Sequence, residues 1–175
     1  MALEMNELAV DIKDTAAVEV SCGDSVAYAR KMVEADVGPV LEFWRGIEGL
    51  VLQEEWEDPA AVRRFLRRNA GFSRIVVDAA GQIVGALLCG HDGCRGYLYN
   101  LAVHKDYRHQ GWANVLVRSS LQALRAEGIR YCHTYIHGSD LLRSMSFLSL
   151  TQGRLRTDIP LLTLTLLPER PGSTR

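Results

Sequence analysis

A strand that runs through a short cationic turn into a long amphipathic helix, Tyr97 to Gly128, constrains what this chain can fold into more than any other stretch. Tyr97 to Val103 is aromatic and aliphatic, the composition of a buried or half-buried strand. The helix is predicted from about Gln110 to Glu127, with Ala113, Leu116, Val117, Ser120, Leu121 and Leu124 recurring on one face. Arg118, Gln122, Arg125 and Glu127 take the other face, and Gly128 suits a left-handed C-terminal cap. A strand, a turn and a helix in that order predict a crossover to a further parallel strand, here Arg130 to Ile136.

The turn itself, Arg108-His109-Gln110-Gly111-Trp112-Ala113, carries a chemical implication. The first N–H groups of a helix have no partner within it, and the helix dipole is positive at that end. A phosphate can be held there by backbone alone. Gly111 leaves room for close approach, Ala113 is small, and Arg108, Lys105 and His109 add positive charge. An ordinary strand-to-helix connection with a surface arginine explains an isolated RxxGxA equally well. The flanking strand and the well-patterned helix favour the phosphate turn.

Leu101-Ala102-Val103 followed by Tyr107-Arg108-His109-Gln110-Gly111-Trp112-Ala113 resembles the acetyl-CoA site of the GNAT N-acetyltransferases, whose signature is (R/Q)xxGx(G/A) after a strand ending in LAV. The turn Gly90-His91-Asp92-Gly93-Cys94-Arg95-Gly96 is similar to that of a subgroup of small bacterial members. The resemblance is strongest over Ile83 to Ile136. It implies that backbone from Leu101 through Ala102 to Val103 holds the pantetheine arm and the acetyl carbonyl. It also implies that Arg108, His109, Gln110, Gly111, Trp112, Ala113 and Asn114 hold the pyrophosphate. Acetyl-CoA is then a co-substrate, and no metal is implied.

Along the chain, residues 1–25 have poor periodicity and read as an extension, partly disordered or lying on the surface. The acetyltransferase domain is placed at 26–167, with 168–175 as a tail. Val26 to Met32 reads as a strand and Asp36 to Gly46 as a helix with Val37, Val40, Leu41 and Trp44 on one face. A loop is expected over Ile47 to Glu57. Asp58-Pro59 then starts a helix to about Asn69, with Asp as N-cap and Pro at the first helical position. Its arginines Arg63, Arg64, Arg67 and Arg68 read as a solvated face. Phe72 to Val77 and Gln82 to Gly90 form a hairpin about Asp78-Ala79-Ala80-Gly81. Gly85 marks a bulge or a close approach. A short helix over Ser139 to Leu150 and a strand over Ile159 to Leu167 complete the order β-α-α-β-β-β-α-β-α-β. The expected fold class is α/β (α+β): a mixed, mostly antiparallel GNAT-like sheet with helices on both faces.

Among 175 residues, 47% are hydrophobic and the net charge is −1, which suits one soluble domain and gives no support for a nucleic-acid partner. No apolar run reaches membrane-span length, and the acidic start MALEMNELAVDIKD lacks a signal peptide's pattern, so a cytoplasmic location is expected. None of the cysteines Cys22, Cys89, Cys94 and Cys132 forms a CxxC pair; Cys89 and Cys94 with His91 lack a clear fourth ligand.

The catalytic groups are less sharply marked. Family members often carry a strand Glu as base two residues before LAV; that position is Tyr99 here. Tyr99 reads as a catalytic candidate or as a packing residue with a bonded hydroxyl. The family's Tyr acid has no counterpart, because Leu148 or Leu142 falls at its position and Gln152 and Gly153 replace the expected Gly and aromatic. Tyr135, Tyr131 or Cys132 on the neighbouring strand substitute for it as strand alternation allows. Glu54 and Glu55 are either acceptor-side acids that attract a cationic amine or solvated loop acids. His91 is a substrate-side candidate, although a turn needs Asp92-Gly93 in any case. Trp112 covers the coenzyme's phosphate arm or packs. The resemblance implies an N-acetyltransferase acting on a primary amine of a small molecule, amino acid or peptide by direct attack in a ternary complex, with a homodimer left open. The alternative is an acyl-CoA-binding sensor with little or no transfer, motivated by the altered 141–153 segment.

Overall fold

The computed structural model describes residues 18–22 and 25–135. The helix and strand expected over 139–150 and 159–167, and the altered 141–153 segment, lie outside the described residues. The described chain runs β1 (Val18–Cys22), β2 (Ser25–Lys31), α1 (Val37–Arg45), α2 (Glu54–Glu57), α3 (Pro59–Arg68), β3 (Arg74–Asp78), β4 (Ile83–His91), β5 (Arg95–Val103), α4 (Trp112–Ala126) and β6 (Tyr131–Thr134). These strands form one sheet in sequence order, β1-β2-β3-β4-β5-β6. The neighbours from β1 to β5 are antiparallel, as tight turns require, and β5 and β6 are parallel across the α4 crossover. The mixed sheet with helices on both faces matches the expected class.

Two elements depart from the sequence pattern. Val18–Cys22 pair in register with β2, so the stretch expected as an extension contains a strand. Glu54–Glu57 form a helical turn inside the expected loop. At four residues that turn is too short to leave a periodic signature.

The sheet has two differently packed faces. On one, α1 and α3 bury Val37, Val40, Leu41, Trp44, Val62 and Leu66 against Ile75, Ala86, Leu88 and Ala102. The start of α3 is as predicted: the Asp58 carboxylate accepts from the Ala60 and Ala61 N–H groups at 2.8 and 3.2 Å, a cap that contributes about 1 kcal/mol. On the other face lies α4, with Leu116, Val117 and Leu124 fully buried. Gly85 lets it come close, since a Cβ there would sit 3.3 Å from both Leu116 Cδ1 and Val76. The β3–β4 register also shifts beside this position, between Val76 and Val77.

The seat of α4 is fixed by polar ties as well. Ser120 Oγ donates to the Phe72 carbonyl at 2.9 Å. The buried Arg74 guanidinium donates to the carbonyls of Gly71, Ser73 and Ser119 at 2.6, 3.0 and 3.5 Å. No carboxylate pairs with it among the described residues; carbonyl dipoles take that place, and burial lowers its pKa. These ties fix the middle of α4, at Ser119 and Ser120, to the start of β3.

Candidate functional site

Strand β5 is where the site begins. Its pairing with β4 runs Leu88↔Tyr99 and then Ala86↔Ala102, so β5 carries one extra residue, a bulge at Asn100-Leu101. Asn100 takes φ +53, a left-handed value that Asn tolerates better than most residues. On the other side, pairing with β6 stops at Leu98↔Thr134. Beyond it, Tyr99–Val103 presents a strand edge with no partner strand among the described residues. The bulge against β4 thus falls just past the last described β5–β6 pair, at the start of Leu101-Ala102-Val103.

A tight polar turn follows. His104 N–H donates to the Val84 carbonyl at 2.8 Å and Tyr107 N–H to the His104 carbonyl at 2.9 Å. Arg108 Nε donates to the Val103 carbonyl at 3.0 Å, tying the guanidinium back to the end of the open strand edge. Gln110 Nε2 donates to the Asp106 carbonyl at 3.0 Å. His109 and Gly111 both have left-handed backbone, with φ of +62 and +86.

Gly111 is the N-cap of α4, and no side chain caps that helix. The first helical bond of α4 is Val115 N–H to the Gly111 carbonyl at 3.1 Å. The N–H groups of Trp112, Ala113 and Asn114 therefore have no acceptor within the helix. No acidic residue lies in the first turn to take up the dipole. A Cβ built on Gly111 meets nothing within 4 Å, so the N-cap itself is uncrowded. An open strand edge leading to an uncapped helix N-terminus, flanked by Arg108, fits an elongated molecule with a polar anionic end.

Trp112 resolves to packing: its side chain is 1% exposed, in the core under α4, so only its backbone N–H faces the turn. Its indole Nε1 has no partner among the described residues.

The α1/α3 face of β5 and β6 carries a row of rings. Tyr99 sits 4.8 Å from Trp56 and 6.0 Å from Phe65, centroid to centroid. Tyr97 stacks at 6.2 Å with an interplanar angle of 14°. Tyr135 lies 6.3 Å from Tyr99, and His133 5.9 Å from Tyr97. Strand parity sorts the β6 candidates. Tyr131, His133 and Tyr135 share the face of Tyr97 and Tyr99, whereas Cys132 faces α4, its Sγ 3.4 Å from a Cβ built on Gly96. Burial first, then the charges of Tyr135, Tyr97, Cys132 and Glu55 if ionised, push the Tyr99 phenol up to about 12. It is therefore protonated at neutral pH, with an O–H to donate, and does not serve as a phenolate base. Burial likewise pushes the Cys132 thiol up to about 11, which disfavours its thiolate.

His91 is not brought to this face. It pairs with Gly96, whose built Cβ would meet Leu124 of α4. Its ring packs edge-on to Phe72 at 4.8 Å, and its Nδ1 accepts from Gly93 N–H at 3.2 Å. The turn uses this histidine itself, and the strand's two-residue period puts it across the sheet from Tyr99. Glu54 and Glu55 are exposed on α2, beside Trp56. Trp56 is the site residue the sequence hid: it lies within an acidic run, and only the fold lays it against β5.

Asp92 holds the β4–β5 turn. Its carboxylate accepts from the Cys94 and Arg95 N–H groups, each at 2.8 Å, and from the Tyr97 hydroxyl at 3.1 Å, and the backbone bonds lower its pKa. Among the described residues, no three His, Cys, Asp or Glu side chains gather as a metal site, and no helix is long and apolar enough to cross a membrane.

The model of the family described as "Acetyltransferase (GNAT) family" matches residues 40–148. An acetyltransferase of Sodalis glossinidius (strain morsitans) is 32% identical over 106 residues, which cover 60% of this chain and 72% of the relative. An acetyltransferase of Yersinia enterocolitica is 33% identical over 100 residues, 57% of this chain and 68% of the relative. Two solved structures share the fold. One is a GNAT-family acetyltransferase of Staphylococcus aureus Mu50, with a TM-score of 0.62, 14% identity, and coverage of 77% of this chain and 89% of that one. The other is the diaminobutyrate acetyltransferase EctA of Paenibacillus lautus in complex with L-2,4-diaminobutyric acid and coenzyme A, with a TM-score of 0.58, 20% identity, and coverage of 73% and 76%.

Proposed function

The chain belongs to the GNAT acetyltransferase family and is an N-acetyltransferase; from that premise we propose that it transfers the acetyl group of acetyl-CoA to a primary amine by direct attack in a ternary complex. The observation that carries this reading is the β5 edge at Tyr99–Val103, which has no partner strand among the described residues, leading to the uncapped N-terminus of α4 behind Gly111. Backbone of Leu101, Ala102 and Val103 holds the pantetheine arm. The N–H groups from His109 to Asn114, with the Arg108 side chain, hold the pyrophosphate. The solved neighbours include an aminoglycoside acetyltransferase and a diaminobutyrate acetyltransferase, enzymes named for amine-bearing small molecules.

The amine reaches the thioester from the ring-lined face, because α4 fills the other. The ammonium first loses one proton to solvent; the neutral nitrogen then forms the C–N bond, the C–S bond breaks, and the second proton shed by the nitrogen balances the one gained by the thiolate of coenzyme A. Tyr135 lies just past the last β5–β6 pair and is 57% exposed, so it is the phenol assigned to protonate or hydrogen-bond that thiolate. Tyr99 lines the acceptor side as a donor. Glu54 and Glu55 favour approach of a cation.

Thiol release from acetyl-CoA across a panel of amines, amino acids and peptides tests the reading. The expected result is amine-dependent release well above hydrolysis, with Tyr135→Phe lowering kcat about tenfold to a hundredfold and leaving coenzyme affinity unchanged. Tight coenzyme binding without thiol release for any amine would favour the sensor reading instead. Unchanged kcat in Tyr135→Phe would remove the role given to Tyr135.

A further inference from the structure

We propose that the acceptor is an arylalkylamine, a primary ammonium carried one or two carbons from a flat aromatic body, and that Trp56, Tyr99 and Tyr135 are the residues that select it. The inference rests on the acetyl-transfer reading above and narrows its substrate class. Three separate segments supply these rings: Trp56 from α2, Tyr99 from β5 and Tyr135 from the residue that follows β6. They meet around Tyr99 on the α1/α3 face of the sheet, just past the last described β5–β6 pair, Leu98↔Thr134.

Core formation alone does not account for the arrangement. Trp56, Phe65 and Tyr99 pack against the buried core of this face, yet Trp56 and Tyr99 stay half-buried and Tyr135, which does not join that core, is 57% exposed. The Tyr99 hydroxyl, half-buried, makes no hydrogen bond among the described residues. Large rings held at half exposure beside a reaction centre offer apolar contact area with few rotatable bonds. Their π faces also attract ammonium.

The charges on this face point the same way. Glu55 is close enough to Tyr99 for its charge to oppose ionisation of the phenol, and Glu54 and Glu57 share its helix. At the far end of the row the cation Arg95 and the carboxylate of Asp92 accompany Tyr97, whose hydroxyl is already committed to Asp92. The end near Trp56 therefore favours a cation and disfavours a carboxylate on the acceptor.

The test is a specificity comparison on the full chain at saturating acetyl-CoA, with phenethylamine, n-butylamine and phenylalanine as probes. The expected kcat/KM for phenethylamine exceeds that for n-butylamine by about tenfold or more, and phenylalanine falls below phenethylamine. Trp56→Ala and Tyr135→Ala should each reduce the phenethylamine to n-butylamine ratio about tenfold while coenzyme A affinity, read by calorimetry, stays unchanged. Trp56→Leu keeps an apolar side chain over Phe65 and separates loss of selectivity from loss of folding. Protein that binds coenzyme A and acetylates butylamine as well as phenethylamine overturns this inference alone. Selectivity that survives in the variants overturns the assignment to these rings. Protein that binds no coenzyme A overturns the underlying reading and this inference with it.

Discussion

Gly111→Val is expected to weaken coenzyme A binding about a hundredfold, roughly 2.7 kcal/mol, while the protein stays folded. Two effects combine. Gly111 has φ +86, where an L-residue costs about 1–2 kcal/mol and a β-branched one fits worst. The built Cβ also meets nothing within 4 Å at the N-cap of α4, next to the N–H groups of Trp112, Ala113 and Asn114, which no side chain caps. A valine there would stand where the pyrophosphate needs to approach. The matched control is Gly93→Val in the β4–β5 turn, which has φ +99 and likewise no neighbour within 4 Å. It should lose similar stability through the same backbone strain and retain coenzyme affinity. Calorimetric titration of the two variants separates strain from site, and equal affinity in both would refute the phosphate turn.

Gly90→Val is expected to destabilise the fold by about 3 kcal/mol or more, enough to lower Tm by about 10 °C in a chain of this size. A Cβ at Gly90 would lie 2.5 Å from Asn69 Cγ and 2.7 Å from Phe65 Cζ. Neither neighbour moves freely. Asn69 is 3% exposed; its Oδ1 accepts from His91 N–H at 2.9 Å and its Nδ2 donates to the Phe65 carbonyl at 3.3 Å. Displacing it strands a buried donor, which costs about 1–3 kcal/mol, and overpacking adds about 1–3 kcal/mol. Phe65 would be pushed from Trp56, which it meets edge-on at 5.2 Å, and from Tyr99. The variant should therefore lose acceptor selectivity as well as stability. Gly38→Ala is the opposing control: the site is in α1 with nothing within 4 Å, and helix propensity predicts a gain of about 0.5–1 kcal/mol. A Gly90→Val protein as stable as wild type would show that Asn69 and Phe65 yield easily.

The features legible in the sequence are those a single local rule fixes. The helical period marks α4, Asp58-Pro59 marks the start of α3, and the positive φ values of Gly81, Gly111 and Gly128 fall where turn and cap chemistry require glycine. The sheet order follows from short antiparallel connections and one crossover. What escapes is what depends on register or on distant partners. Val18–Cys22 becomes a strand because β2 offers it an edge. The extra residue at Asn100-Leu101 is a mismatch between β4 and β5 and leaves no mark on either strand alone. His91 and Tyr99 are both polar aromatic candidates near one hairpin, and side-chain parity sends them to opposite faces. Trp112 carries the motif's bulkiest side chain, yet the helix turns it inward to 1% exposure. Trp56 joins Tyr99 across more than forty residues of sequence, so no spacing rule connects them.

The most direct test of the account is a titration of 15N-labelled protein with coenzyme A, followed through backbone amide shifts. The account predicts saturable movement of the amides of Leu101 to Val103 and of His109 to Asn114, with the β1–β2 hairpin unmoved. Coenzyme binding that shifts other amides and leaves both of those segments still, or no shifts at millimolar coenzyme A, would contradict it.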